Sequence, residues 1–129
     1  MSLVEDIKQE EGFKGTVYKC TEGFDTIGFG TRLPLSKEES ELILEYRLKI
    51  MKSQLTGYLY NLDIKQEAWD ILFNMAYQLG VRGVLNFKKM IKALEKQDYK
   101  TASKEGLDSL WAKQTPNRAK RLMDRLSQL

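Results

Sequence analysis

An α+β fold, predominantly α, is what this sequence predicts, on three observations. Helix start signals and 3.6-residue apolar spacing run through the chain from Leu35 onward. Convincing β signals are confined to about twenty residues near the N-terminus. Five of the nine glycines fall within residues 10–30, in the same stretch. With 129 residues, the chain is of a size that forms one domain with a sizeable core.

Taken in order, "SLVE" (Ser2 to Glu5) fits a capping box that opens a first helix, with Leu3, Val4 and Ile7 on one face and an end near Glu11-Gly12. "GTVYK" and "DTIGFG" read as two short strands joined by a turn at residues 21–23. Gly28 and Gly30 alternate with Ile27 and Phe29, which implies a strand face approached closely by other backbone or by a ligand. "SKEE" (Ser36 to Glu39) is a second capping box. It opens a long helix through Leu42, Ile43, Tyr46, Ile50 and Met51, ending at Thr56-Gly57. "DIKQ" (Asp63 to Gln66) starts a third, in which Trp69, Leu72, Phe73 and Ala76 keep helical spacing up to a stop at Gly80. Phe87, Met90, Ile91 and Leu94 mark a fourth helix, and "DYKTASKEG" a short fifth ended by Gly106. Thr115 as N-cap and Pro116 at the first helical position open the last, with Ala119, Leu122 and Leu126 as its buried stripe. The layout is a single domain. A small β lobe (about residues 12–34) is joined by the long helix to a helical lobe (about 58–129, plus the N-terminal helix), with a ligand cleft between them.

Composition narrows the chemistry. The chain has no histidine and one cysteine. That removes Ser-His-Asp and Cys-His sites, makes zinc improbable and fits a reducing compartment. No Walker-type loop appears, so no metal and no cofactor are expected. The start "MSLVEDIKQEEGF" lacks a basic n-region and a long apolar run, and no stretch approaches the roughly 18 apolar residues of a spanning helix. The expectation is a cytoplasmic chain without stable membrane insertion. Acid–base work falls to carboxylates, lysine, tyrosine or the thiol. The net charge is +3, and "KQTPNRAKRLMDR" is locally basic, with Lys113, Arg118, Lys120, Arg121 and Arg125 against Asp124. Such a run is a solvated helix face or a surface drawn to a polyanion, an acidic wall polymer or nucleic acid.

Glu11 stands at the expected junction of helix and hairpin, beside the apolar Phe13 and Phe29, where partial desolvation of its carboxyl is expected. Glycoside hydrolysis needs such a carboxylic acid on the leaving oxygen and a second group across the bond. The series Glu11, eight residues, Cys20, five residues, Thr26 resembles the Glu-x8-Asp/Cys-x5-Thr signature of phage lysozymes of the T-even and lambdoid endolysin group (glycoside hydrolase family 24). "EEG", "YKCTEG" and "TIGFGT" around it are similar too. So are "FNMAYQLG" (Phe73 to Gly80), which looks like the family's cleft-floor helix end, and "LWAKQTPNRAKR" (Leu110 to Arg121), which looks like its C-terminal motif.

The resemblance implies a lysozyme-like fold with the active site in the cleft, and Glu11 as the general acid. It implies Thr26 as the residue that helps hold the attacking water, and Arg118 as the arginine that pairs with the catalytic Glu. Asn74 and Gln78 become polar cleft residues, Gln78 a substrate contact, and Trp111 and Gln114 structural positions. For Trp111 and Asn74, core packing and substrate contact both stay open. Two departures stand out: Thr31 replaces the family's histidine, and "RLPLSKEES" is a short link, so the β lobe is expected to be reduced.

Cys20 takes the place of aspartate, an alternative some family members use. A thiol is mostly protonated at neutral pH, and an ionised Glu11 nearby disfavours the thiolate further. Cys20 can activate water, attack the anomeric carbon, or only position other groups. Asp25, on the opposite strand face from Thr26, ranks below it.

The function implied is a phage or prophage endolysin, cleaving the β-1,4 bond between N-acetylmuramic acid and N-acetylglucosamine in peptidoglycan. It would be a monomer held in the host cytoplasm until a holin-type hole opens, and it would have no nucleic-acid partner. The alternatives are a lytic transglycosylase using Glu11 alone, and a catalytically weak wall-binding module.

Overall fold

The computed structural model describes residues 2–129. It is predominantly helical with one three-stranded antiparallel sheet, an α+β, lysozyme-like composition of elements as expected. Helix α1 (Leu3–Glu11) is opened by Ser2, whose hydroxyl accepts the Glu5 N–H at 3.2 Å, and is ended by Gly12 at φ +67°. Its Leu3, Val4 and Ile7 are exposed.

The sheet runs β1 (Lys14–Lys19), β2 (Asp25–Gly28), β3 (Thr31–Arg32), in that order. Lys19 pairs with Asp25 and Tyr18 with Thr26, and the register shifts before Lys14 meets Gly28. "DTIGFG" is therefore not one strand. Gly28 (φ +69°) ends β2, Phe29 and Gly30 turn the chain, and β3 returns to set Arg32 opposite Thr26 and Thr31 opposite Ile27. Two positive-φ glycines one residue apart make this turn, which an alternating pattern conceals.

Helix α2 (Lys37–Tyr58) starts with the expected capping box closed in both directions. The Ser36 N–H donates to Glu39 Oε1 at 2.8 Å, and the Glu39 N–H donates to Ser36 Oγ at 3.1 Å. By internal contact the chain forms two units that divide within α2. One extends to Leu44, the other is Glu45–Leu129.

The second unit holds α3 (Gln66–Leu85), α4 (Lys88–Glu95), α5 (Tyr99–Leu107), α6 (Leu110–Gln114) and α7 (Pro116–Ser127). The expected stop at Gly80 is a break inside α3, where φ is +80°. The helix expected to start at Asp63 to Gln66 begins at Gln66. Lys65 stands at the N-cap, and Asp63 instead accepts from Gln97 Nε2, through its carbonyl at 2.8 Å and its carboxylate at 3.3 Å. Thr115 stands at the N-cap of α7 with Pro116 next, as expected, but its hydroxyl donates to the Trp111 carbonyl at 3.0 Å and makes no cap bond. Gly106 does not end α5, which runs on to Leu107. It is buried, and a side chain there would collide with Met123 of α7.

Leu55, Ile71, Leu72, Met75, Met90, Leu94, Met123 and Leu126 form the centre of this unit's core, each nearly or fully buried. Each such side chain stabilises the fold by roughly 1.5–3 kcal/mol through removal from water. The stripe expected on the last helix, Ala119, Leu122 and Leu126, is buried, with Met123 added. Ser103, also buried, donates to the Met123 carbonyl at 2.8 Å, so this polar group inside the core is satisfied.

Candidate active site

Glu11 is the last residue of α1, and its carboxyl stands over the β2–β3 turn. A Cβ built on Gly30 would lie 2.5 Å from Glu11 Oε2 and 2.6 Å from Cδ. The φ of +73° favours glycine at position 30, and a side chain there would push the Glu11 carboxyl aside. Of the two glycines read as a site of close approach, only Gly30 is approached, and by Glu11. Gly28 has nothing within 4 Å of where a Cβ would stand. Phe13 and Phe29 pair beside this turn with ring centroids 5.4 Å apart, and Lys8 Nζ lies 5.5 Å from the Phe29 ring. Both rings and Glu11 itself are exposed. The partly desolvated surroundings expected for Glu11 are absent in this unit, because rings on a two-residue turn and a helix end have no second layer to cover them.

Cys20 begins the turn that joins β1 to β2. Its N–H donates to the Phe24 carbonyl and its carbonyl accepts from Gly23 N–H, both at 2.9 Å, with Gly23 at φ +84°. The half-buried thiol is held below its usual range, above all by the Phe24 backbone N–H. Partial desolvation opposes this, while the Glu22 N–H, the Thr26 hydroxyl and the Arg32 charge add to it. The expected disfavouring of the thiolate is thus reversed. Glu11 is not among the groups that move it, and turn N–H groups aimed at the sulfur win.

Thr26 is 1% exposed, and its hydroxyl donates to the Phe24 carbonyl at 2.8 Å. A hydroxyl has one proton, so that bond and one to the thiolate exclude each other, and ionisation of Cys20 competes with Phe24 for it. Arg32 reaches over the turn, its guanidinium 4.5 Å from the Phe24 ring centroid and 2.6 Å from Glu22 Oε2. Asp25 is exposed on the other strand face and bridged to its cross-strand partner Lys19 at 2.7 Å.

In the second unit Asn74 and Gln78 lie one turn apart on α3. Arg118 of α7 grips Asn74 three times: Nη2 to Oδ1 at 2.7 Å, Nε to Oδ1 at 3.1 Å and Nη2 to the carbonyl at 3.0 Å. Gln78 Oε1 accepts from Trp111 Nε1 at 2.9 Å. Trp111 is 4% exposed and meets Phe87 edge-on at 5.9 Å, so it is a core residue, whereas Asn74 is exposed. Asn74, Arg118, Arg121, Leu122 and Arg125 line a cavity of about 430 Å³. A larger one, about 650 Å³, lies against Trp111, Phe87, Leu79 and Gln114.

The first unit therefore joins Cys20 to Thr26 and seats Glu11 over Gly30, and the second joins Asn74 to Arg118 and Gln78 to Trp111. Two contributors were not legible beforehand. Gly30 as the seat of Glu11 was half-signalled by its spacing. Arg32, whose charge reaches the thiol, carries no signal, since a two-residue strand shows no periodicity.

The Phage lysozyme family matches residues 8–128 of the chain. "Probable T4-type lysozyme 1" of Dictyostelium discoideum is 30% identical, over 95% of this chain and 91% of that protein. "Probable T4-type lysozyme 2" of the same organism is 28% identical, also over 95% and 91%. The "Pre-baseplate central spike protein Gp5" of Enterobacteria phage T4 is 32% identical over 95% of this chain, which corresponds to 27% of that longer protein. These alignments extend over 155 to 157 positions, so each relative carries residues that this 129-residue chain lacks.

Proposed function

The chain belongs to the phage lysozyme family and is a lysozyme-like peptidoglycan hydrolase, and from that premise we propose that it is a muramidase, cleaving the β-1,4 bond between N-acetylmuramic acid and N-acetylglucosamine. What supports this reading best is the carboxyl of Glu11, set over Gly30 beside the hairpin that carries Cys20 and Thr26. Glu11 acts as general acid: its proton goes to the glycosidic oxygen as the bond to the anomeric carbon breaks. Cys20 works as the thiolate that its turn favours. It takes a proton from water placed by Thr26, which inverts the anomeric carbon, or it bonds to that carbon as the glycosidic oxygen leaves. In the second case water, deprotonated by Glu11, then displaces the sulfur for net retention. Asn74, Gln78 and Arg118 contact the sugar chain. The enzyme serves host lysis as a monomer, made in the host cytoplasm and reaching the wall after a holin-type opening.

The test is digestion of purified sacculi by the wild type beside Glu11→Gln, with products read by mass spectrometry. Hydrolysis adds one water per bond cut, and the variant loses turnover. Anhydro-muramic products would replace this reading by a transglycosylase, and wild-type turnover in Glu11→Gln would remove Glu11 from the chemistry.

A further inference from the structure

A surface patch on the second unit takes no part in the chemistry above. At the end of α2 the chain turns through Tyr58, Leu59 and Tyr60, and both tyrosines stand out from the surface, 63% and 79% exposed. Leu59 packs beneath them, its N–H held by the Leu55 carbonyl at 3.0 Å and its own carbonyl taken by the Leu62 N–H at 2.9 Å. Alongside runs α4, which presents Lys88, Ile91, Lys92 and Glu95 at helical spacing on one face. Two adjoining cavities of about 480 and 460 Å³ share Leu59, Ile91 and Glu95, and so form one continuous groove. Leu59, Leu62, Leu85 and Ile91 line it. One end is flanked by Tyr58 and Tyr60, the other by Lys88, Lys89 and Lys92. Among the described residues none of these lysines is in an ion pair. The groove shares no lining residue with Asn74, Gln78 or Arg118.

We propose that this groove is a second peptidoglycan-binding surface, which holds the polymer while another segment of it is cut. The inference rests on peptidoglycan as the substrate. A tyrosine ring packs against the C–H face of a pyranose, and its hydroxyl meets the sugar's own hydroxyls, so paired exposed tyrosines beside a lining of both leucines and polar groups suit a glycan strand. Peptidoglycan repeats carboxylates along its stem peptides, and the three lysines against the single Glu95 give the groove the complementary sign. Each such charge adds little alone. On an insoluble polymer, however, a second attachment raises the effective concentration of bonds at the active site, and weak contacts sum.

The experiment uses the full chain and two independent groove variants, Tyr58→Ala/Tyr60→Ala and Lys88→Glu/Lys92→Glu. Their side chains are exposed, so their thermal midpoints stay near wild type. Binding is measured in the Glu11→Gln background by sedimentation with purified sacculi. Turnover is measured with Glu11 in place, on sacculi and on a soluble muropeptide tetrasaccharide too short to span two sites. Expected is a loss of sacculus binding of about fivefold or more for each variant, a similar loss of sacculus hydrolysis, and tetrasaccharide turnover within about twofold of wild type. Unchanged sacculus binding overturns the proposal. So does an equal loss on both substrates, which would mark a general defect. Phosphatidylglycerol vesicles form the third arm: binding lost there and kept on sacculi would assign the groove to a membrane surface instead. Should the wild type cleave neither substrate, the hydrolase reading fails, and the sedimentation comparison still decides the groove.

Discussion

Among the described residues up to Leu44, Thr26 is the one buried side chain, whereas Glu45–Leu129 encloses a continuous apolar cluster from Leu55 to Leu126. The first unit keeps its shape with backbone pairing and with exposed contacts such as Lys19–Asp25, Arg32–Glu22 and the Arg32 guanidinium over Phe24. Exposed pairs of this kind contribute about 0–1 kcal/mol each. The second unit is held by many buried side chains, each contributing more. The residues proposed for acid–base chemistry, Glu11, Cys20 and Thr26, all lie in the unit without a core. Chemistry and stability therefore separate along the chain, and substitutions should separate the same way.

The largest effect expected is on chemistry alone. Glu11→Gln should cost about 10²–10⁴-fold in sacculus turnover, the usual range for a lost general acid, with an unchanged melting curve because Glu11 is exposed. Gly30→Ala should lose activity too, since its methyl group would displace the Glu11 carboxyl. A wild-type rate in Gly30→Ala would show that the position of this carboxyl is not critical. The converse substitution is Leu72→Ala, at a core position 1% exposed. It should destabilise by about 2–5 kcal/mol in denaturant titrations, while turnover well below the melting range stays near wild type. Loss of activity at full folding would break the separation.

Local signals were legible where both partners lie within four residues. The Ser36–Glu39 box, the Ser2 cap and the breaks at Gly12 and Gly80 are set by neighbours in sequence. They failed where a distant partner competes. Asp63 is bonded by Gln97 ahead of the helix, and Gly106 lets Met123 approach. Helix α6, five residues long behind Ser109, is too short to show periodicity. The site was legible as residue identities through family spacing. The direction of the Cys20 shift was not, because it comes from N–H groups of the Phe24 and Glu22 backbone, which carry no side-chain signature.

Cys20 gives a prediction of intermediate size. If its thiolate is the second catalytic group, Cys20→Ser should lose far more sacculus turnover than Cys20→Asp. Serine is neither a comparable base nor an activated nucleophile in a chain without histidine, whereas aspartate is ionised at neutral pH and can accept the same turn N–H groups. Alkylation should inactivate the wild type and spare the Asp variant. Full activity in Cys20→Ser would reduce the thiol to packing.

The smallest effect expected concerns Arg32, the last of the groups that favour the thiolate. Its side chain is 55% exposed and shared with Glu22, so solvent and the neighbouring carboxylate both blunt its field. In Arg32→Ala the midpoint of the pH dependence of Cys20 alkylation should move upward, yet stay below that of the unfolded chain, because the Phe24 N–H remains. Added salt should reproduce part of the shift in wild type and change the variant less. The sign also fixes the stability term. A thiol whose folded pKa lies below its unfolded value stabilises the turn above the unfolded pKa, and that contribution is lost as pH falls through the folded one. Arg32→Ala should therefore narrow this alkaline window, seen as a smaller difference in hydrogen-exchange protection of the Cys20–Phe24 turn between neutral and alkaline pH. An unmoved alkylation midpoint would mean that Arg32 acts on Phe24 and Glu22 only, and that the thiolate is held by backbone N–H groups and the Thr26 hydroxyl alone.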